Sequence, residues 1–150
     1  AAAYSNLAQS QGEGAVVAMG PYLQDVVAHF TRAGFHDGVE VELEADGCEI
    51  PREAAVAIGL FANEALTNCA KYAFPDGRSG RVEVRFHCTN PQEWSLEICD
   101  NGVGYAQEPT SVSGSGLGAT LLQAFAQQAQ AKYEFRPSDT GCQLLLARAG

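Results

Sequence analysis

The sequence is poor in positive charge. Lys and Arg number 9 against 18 Asp and Glu, so the formal net charge is −9. An acidic surface repels phosphate backbones, and nucleic acid is therefore not an expected partner. A small phosphorylated ligand would need local positive groups, backbone N–H groups or a metal ion at its site.

Long apolar runs and paired cysteine motifs are also missing. No stretch approaches the ~18 apolar residues of a membrane-spanning helix, and the start lacks the basic and apolar segments of a signal peptide. The cysteines are scattered without a C-x-x-C pair, which predicts free thiols in a reducing cytoplasm rather than a zinc site or a disulfide set. They are Cys48, Cys69, Cys88, Cys99 and Cys142.

The length of 150 residues with 46% apolar content suits one domain with its own core. We expect that domain to span residues 13–150, with residues 1–12 forming a linker or the end of a helix. Because the sequence begins at Ala1 rather than Met, we expect a piece of a longer, cytoplasmic or membrane-anchored protein.

Hydrophobic periodicity predicts three helices and five strands. Val39 to Ala45, for example, alternates apolar residues with glutamates, as a half-exposed strand does. Tight turns between consecutive strands imply antiparallel pairs, and helices covering one face would complete the fold. The prediction is an α+β, two-layer α/β sandwich with a mixed, mostly antiparallel sheet. The predicted helices are about 21–34, 51–72 and 117–129, and the strands about 39–45, 81–88, 94–98, 132–136 and 142–148.

The first of three polar motifs ends the second helix, at residues 63–72. Glu64 and Asn68 are four residues apart and share a helix face, with Lys71 close by. An amide oxygen can ligate Mg²⁺, an ammonium group can meet phosphate, and a carboxylate can orient or deprotonate a nucleophile. Taken alone, Glu64 or Lys71 is more typical of a solvated polar face at a helix end.

The second motif is Asp100-Asn101-Gly102-Val103-Gly104. Asp100 ends an apolar strand, and glycines after it let the backbone approach a flat ligand. A carboxylate here could accept a hydrogen bond from an exocyclic amino group, which favours adenine over guanine. Alone, the motif is an ordinary Asp-Asn-Gly turn.

The third motif, Gly114-Ser115-Gly116-Leu117-Gly118, follows a segment at 105–115 without periodicity and leads into the last helix. Glycine N–H groups and a helix N-terminus could face phosphate there. The motif is neither a Walker loop nor a dinucleotide fingerprint, and alone it is typical of a linker.

In this order and spacing, the three motifs resemble the GHKL ATPase superfamily of gyrase, MutL and sensor histidine kinases. The likeness is greatest to the catalytic domain of HWE-like histidine kinases, with a Bergerat-type fold, and it spans roughly residues 15–148. Residues 63–72 match the N-box, 100–104 the first glycine box and 114–118 the second. Thr140 and Gly141 are faintly similar to a third box.

The resemblance implies an ATP and Mg²⁺ site and a role for each matching residue. Asn68 would hold Mg²⁺, Asp100 would bind the adenine amino group, and Lys71 would approach phosphate. Tyr72 would pack by the base, residues 105–115 would form a lid, and Glu64 would act as general base or support the transfer geometry. The remaining residues of the implied nucleotide site are Gly102, Gly104, Gly116, Leu117, Gly118 and Thr140.

A histidine kinase also needs a phosphoacceptor histidine on an upstream dimerisation helix. His29, His36 and His87 are interpreted as ordinary surface residues, so we expect the acceptor outside this chain, in the parent protein or a partner. The implied partners are that histidine domain and a response regulator. Residues 1–12 would be the tail of the dimerisation helix, and the fragment would be monomeric.

Three functions remain open at this point. The first is a histidine kinase catalytic domain that transfers the γ-phosphoryl group of MgATP. The second is a free-standing GHKL serine kinase of the anti-sigma type, and the third is a nucleotide-free docking or phosphotransfer scaffold. The intact polar residues and glycines favour a nucleotide-binding protein over the scaffold.

Overall fold

The computed structural model describes residues 15–103, 118–138 and 140–149. The predicted dimerisation-helix tail at 1–12 and the predicted lid at 105–115 lie outside these ranges. The described helices are α1 (Met19–His29), α2 (Arg52–Asn68) and α3 (Gly118–Gln128). The strands are β1 (Val16–Ala18), β2 (Val39–Ala45), β3 (Glu49–Pro51), β4 (Gly80–Asn90), β5 (Glu93–Asp100), β6 (Lys132–Ser138) and β7 (Gly141–Arg148).

The main sheet has five strands in the order β2-β4-β5-β7-β6. β2 and β4 are parallel because α2 crosses over between them, whereas the other neighbouring strands are antiparallel. Tight turns account for the antiparallel pairs β4–β5 and β6–β7. The predicted mixed, mostly antiparallel sheet is therefore confirmed.

The helices cover one face of this sheet and enclose a single apolar core. α1 contacts β2, α2 contacts β5, and α3 contacts both α2 and β6. Tyr22 of α1 is fully buried against Gly59 of α2, where a Cβ would lie 1.8 Å from the tyrosine hydroxyl oxygen. α1 and α2 thus pack closely together in the helical layer, and this layer and the sheet form the two-layer sandwich that the sequence predicts. None of the helices in the described ranges is long and apolar enough to cross a membrane.

Three local features differ from the sequence prediction. α1 and α2 end at His29 and Asn68, and each continues as a wider π-helical turn, at Phe30–Gly34 and Cys69–Ala73. The strands β1 and β3 pair with each other as a small sheet that was not predicted, because three-residue strands carry almost no periodicity. The apolar pattern of the predicted helix 117–129 places Leu121 on the buried side with Leu122, but Leu121 is 38% exposed on the outer side of α3.

The prediction of five free cysteines is wrong for two of them. Cys48 and Cys88 form a disulfide across 40 residues, with their Cα atoms 6.6 Å apart. Parallel pairing of β2 with β4 brings the segment after β2 to the same end of the sheet as Cys88. Spacing along the sequence does not reveal such a pair, since it arises from strand order. The other three cysteines are free thiols, as predicted.

Candidate functional site

The last turns of α2 carry two buried polar side chains. Glu64 is 9% exposed and Asn68 is 1% exposed, within a helix whose other buried residues are apolar. Among the described residues, the Glu64 Oε2 atom and both polar atoms of the Asn68 amide lack a hydrogen-bond partner. Leaving a buried polar group unpaired costs about 1–3 kcal/mol. An amide oxygen in this state fits a hard cation such as Mg²⁺, which would supply the missing interaction.

The charge of Lys71 acts on Glu64. Burial raises the pKa of the Glu64 carboxyl above its ordinary value, and the nearby ammonium group of Lys71 opposes that rise. Lys71 is exposed on the π-helical turn, so it lies at the rim of the site rather than on the buried face. Tyr72 follows it and is half-buried.

Asp100 ends β5 as a buried carboxylate in a fixed orientation. Its Oδ1 atom accepts a hydrogen bond from the Gly102 N–H at 3.0 Å, and its Oδ2 atom accepts one from the Cys69 thiol at 3.5 Å. The backbone of Cys142 provides a third hydrogen bond. Burial raises the pKa of Asp100, and these three hydrogen bonds to the carboxylate partly offset the rise. Burial and the neighbouring Asp100 together raise the pKa of the Cys69 thiol well above its ordinary value.

The turn after Asp100 is attached to the end of α2. The Val103 N–H donates to the Ala73 carbonyl oxygen at 2.9 Å. A Cβ on Gly102 would lie 2.2 Å from that same oxygen, so only glycine permits this approach. The first two polar motifs therefore form one side of a common site.

The start of β7 packs against the backbone of Asp100. Gly141 has a φ of +142°, and a Cβ there would lie 1.9 Å from the Asp100 carbonyl oxygen. Thr140 is exposed directly before it. Thr140 and Gly141, the residues faintly similar to a third box, are thus next to Asp100 in space, although about 40 residues separate them from it in the sequence.

The structure connects the predicted site residues at the end of α2 with those after β5, but not all of the predicted residues can be placed. The Cys69–Asp100 and Ala73–Val103 hydrogen bonds join these two segments. Glu64, Asn68 and Lys71 belong to the first segment, and Asp100 and Gly102 belong to the second. Gly118 begins α3, which fits the predicted helix N-terminus. The predicted site residues Gly104, Gly116 and Leu117 lie outside the described residues.

Sequence reasoning missed Cys69, Gly141 and Cys142 as neighbours of Asp100. Cys69 belongs to the buried row of the predicted helix 51–72, where a thiol is indistinguishable from a small apolar residue. The other two come next to Asp100 only because β7 pairs with β5. Gly141 approaches its backbone carbonyl oxygen, and Cys142 contributes a backbone hydrogen bond to its carboxylate.

Comparison with known proteins defines the class to which this fold and site belong. Residues 31–147 match the profile of the histidine kinase-like ATPase domain. The chain therefore belongs to that family, as the three motifs predicted.

Similar proteins come from sensor kinases. The histidine kinase domain of the Erythrobacter litoralis EL346 blue-light activated histidine kinase is 23% identical, with a TM-score of 0.84 over 97% of this chain and 73% of that chain. The mycobacterial sensor histidine kinase MprB is 22% identical, with a TM-score of 0.69 over 89% of this chain and 95% of that chain. Blue-light-activated histidine kinase 2 of Erythrobacter litoralis is 25% identical over 126 residues, which are 84% of this chain. The match covers 36% of that relative, so the chain spans about a third of its length.

Proposed function

We propose that this domain binds MgATP and transfers its γ-phosphoryl group to a histidine outside the chain, in two-component signalling. One observation carries the proposal. The buried amide of Asn68, which has no hydrogen-bond partner among the described residues, and the anchored carboxylate of Asp100 lie in two chain segments that the Ala73–Val103 hydrogen bond joins. The backbone thereby links the proposed cation site with the proposed site for a base.

Asp100 would determine the choice of base. A carboxylate accepts hydrogen bonds, and adenine presents an amino group where guanine presents a carbonyl oxygen. Adenine therefore pairs with Asp100, whereas guanine would meet it with two acceptors facing each other. Tyr72, half-buried beside the site, would pack against the base.

The polar residues at the end of α2 would bind the phosphate groups and their metal ion. Asn68 would ligate Mg²⁺ through its amide oxygen, and Lys71 would approach the phosphate oxygens from the rim. Mg²⁺, when bound, neutralises charge that develops on the phosphates during transfer. Glu64 would orient the incoming nucleophile, and the N-terminus of α3 at Gly118 would face phosphate. Gly104, Gly116, Leu117 and Thr140 are expected to complete the nucleotide site.

The reaction would exchange one bond of phosphorus for another. The bond from the γ-phosphorus to the oxygen bridging to the β-phosphate breaks, a bond to an imidazole nitrogen forms, and ADP leaves. The histidine domain and a response regulator would be the partners, and the cytoplasm, where ATP is available, would be the site of action. We expect the domain itself to be monomeric.

Magnesium linkage tests the role of Asn68. ATP affinity should be measured by calorimetry with and without Mg²⁺, for the wild type and for Asn68→Ala. We expect Mg²⁺ to strengthen binding to the wild type, and the variant to lose about tenfold or more of that gain, as loss of a metal-site contact typically does. An unchanged magnesium effect in Asn68→Ala would contradict the assignment.

The chemistry of the product distinguishes the histidine kinase from the serine kinase. The domain should be incubated with γ-labelled ATP, Mg²⁺ and either a histidine-bearing helical domain from a sensor kinase or a serine-bearing anti-sigma partner. We expect label on the first protein, in an acid-labile and alkali-stable linkage. Acid-stable label on the second would favour the serine kinase, and absence of ATP binding would favour the scaffold.

A further inference from the structure

Cys69 is hydrogen-bonded to the carboxylate of Asp100, which is proposed to bind adenine. It is the first residue of the π-helical turn after Asn68, and it is 4% exposed. Its Sγ atom is 3.5 Å from the Asp100 Oδ2 atom. A carboxylate can only accept hydrogen bonds, so the thiol is the donor.

The three hydrogen bonds to the Asp100 carboxylate come from two kinds of group, the backbone and a side chain. Gly102 and Cys142 contribute through the backbone, which is present whatever side chain occupies those positions. Cys69 contributes through its side chain. Among these contacts, the thiol is therefore the one that a substitution can remove without altering the backbone.

The thiol also constrains the rotation of the carboxylate. The terminal torsion of an aspartate is broad, so each further hydrogen bond narrows the rotation of the carboxylate. A donor on Oδ2 fixes the second oxygen as well. Each carboxylate oxygen has two lone-pair sites, so Oδ2 can still accept a hydrogen bond from a ligand. A carboxylate already in its binding orientation loses less freedom when the ligand arrives.

We propose that Cys69 is a positioning residue for base recognition, and that its thiol hydrogen bond holds Asp100 in the orientation that accepts the 6-amino group of adenine. This inference rests on the proposed function, since it assumes that Asp100 meets the base. The contrary explanation is that Cys69 is a small apolar residue that only fills space.

A nucleotide without the amino group separates these explanations. Affinities for MgATP and for magnesium purine riboside triphosphate, which lacks the 6-amino group, should be measured by calorimetry for the wild type, Cys69→Ala and Cys69→Ser. Cys99→Ala is the matched control. Cys99 is the neighbouring thiol on β5, but because it comes one residue before Asp100, its side chain lies on the opposite face of the strand from the Cys69–Asp100 hydrogen bond.

We expect Cys69→Ala to weaken MgATP binding about three- to tenfold, below the usual range for bonds to charged groups because a thiol is a weak donor. Its affinity for the analogue should stay at the wild-type value. Cys69→Ser restores a donor and should recover ATP affinity, and Cys99→Ala should match the wild type. Since the two nucleotides are compared within each variant, partial unfolding would lower both affinities and leave their ratio unchanged.

Two results would overturn the inference. The first is an unaltered ATP-to-analogue ratio in Cys69→Ala, whether both affinities fall together or neither changes. The second is a failure of Cys69→Ser to recover the ratio. If the wild type itself does not bind MgATP, or does not prefer it to the analogue, the proposed function fails and the inference fails with it. The wild-type titration thus separates failure of the function from failure of the inference.

Discussion

Replacing Asn68 with leucine should stabilise the nucleotide-free domain and at the same time abolish magnesium-dependent ATP binding. Asn68 is 1% exposed, and its amide oxygen and nitrogen have no partner among the described residues. Leucine has a similar branched shape and no polar atoms. The substitution therefore removes the unpaired groups while keeping the space filled.

The expected gain follows from the cost of an unpaired buried polar group, about 1–3 kcal/mol. Imperfect fit of the new methyl groups can take back part of it, because overpacking a core is itself destabilising. A net gain of about 2 kcal/mol would raise the unfolding midpoint of a domain of this size by roughly 4–8 °C.

Chemical denaturation and calorimetry would measure the free energy of unfolding, with Asn63→Leu as the control. Asn63 lies on the same helix but is exposed, so that substitution should change stability by less than about 0.5 kcal/mol. Destabilisation of the nucleotide-free domain by Asn68→Leu would refute the reasoning, which requires the unpaired amide to cost more than the imperfect fit of the leucine.

Three further perturbations follow from the structure. Reducing the Cys48–Cys88 disulfide should lower the free energy of unfolding by about 4 kcal/mol for a loop of 40 residues, and a double serine variant should not respond to reductant. Gly102→Ala should destabilise the domain and weaken ATP binding, because the new Cβ would lie 2.2 Å from the Ala73 carbonyl oxygen. Gly47→Ala is the control: its Cβ would have no atom within 4 Å, so this variant should change neither property. Burial raises the pKa of Asp100 in the folded protein above its value of about 3.9 in the unfolded chain. The contribution of this carboxyl group to stability is therefore present below about pH 3.9 and is lost as the pH rises through the pKa of the folded protein. The stability of Asp100→Asn relative to the wild type should therefore grow between pH 4 and pH 7 in denaturant titrations, and a constant difference would contradict this.

Much of the fold was predictable because its elements carry strong periodic signals. The alternation in β2, β4 and β5 and the buried row of α2 gave the right element types and nearly the right bounds. The short β1–β3 pair and the two π-helical turns were not predictable, since three to five residues are too few to show a period. The exposure of Leu121 depends on how α3 is rotated, and the apolar pattern of that helix did not settle it.

The candidate site was predictable where its residues are neighbours in sequence. The spacing of Glu64 and Asn68 placed both on one helix face, and Asp100 was located by the strand that it ends. Its contacts with Cys69 and Gly141 depend on how α2 and β7 are placed around β5, which one sequence does not show. The disulfide was missed for the same reason.

Titration of the domain with MgATP, in parallel with Asp100→Ala, tests the central claim most directly. Asp100→Asn serves as a companion, because its amide oxygen can still accept the Gly102 N–H while the carboxylate is gone. The account predicts micromolar-range binding by the wild type, and a loss of about tenfold or more in both variants, which remain folded by circular dichroism. Binding that is unchanged in both variants would contradict the assignment of adenine to Asp100, and absence of binding by the wild type would contradict the nucleotide site itself.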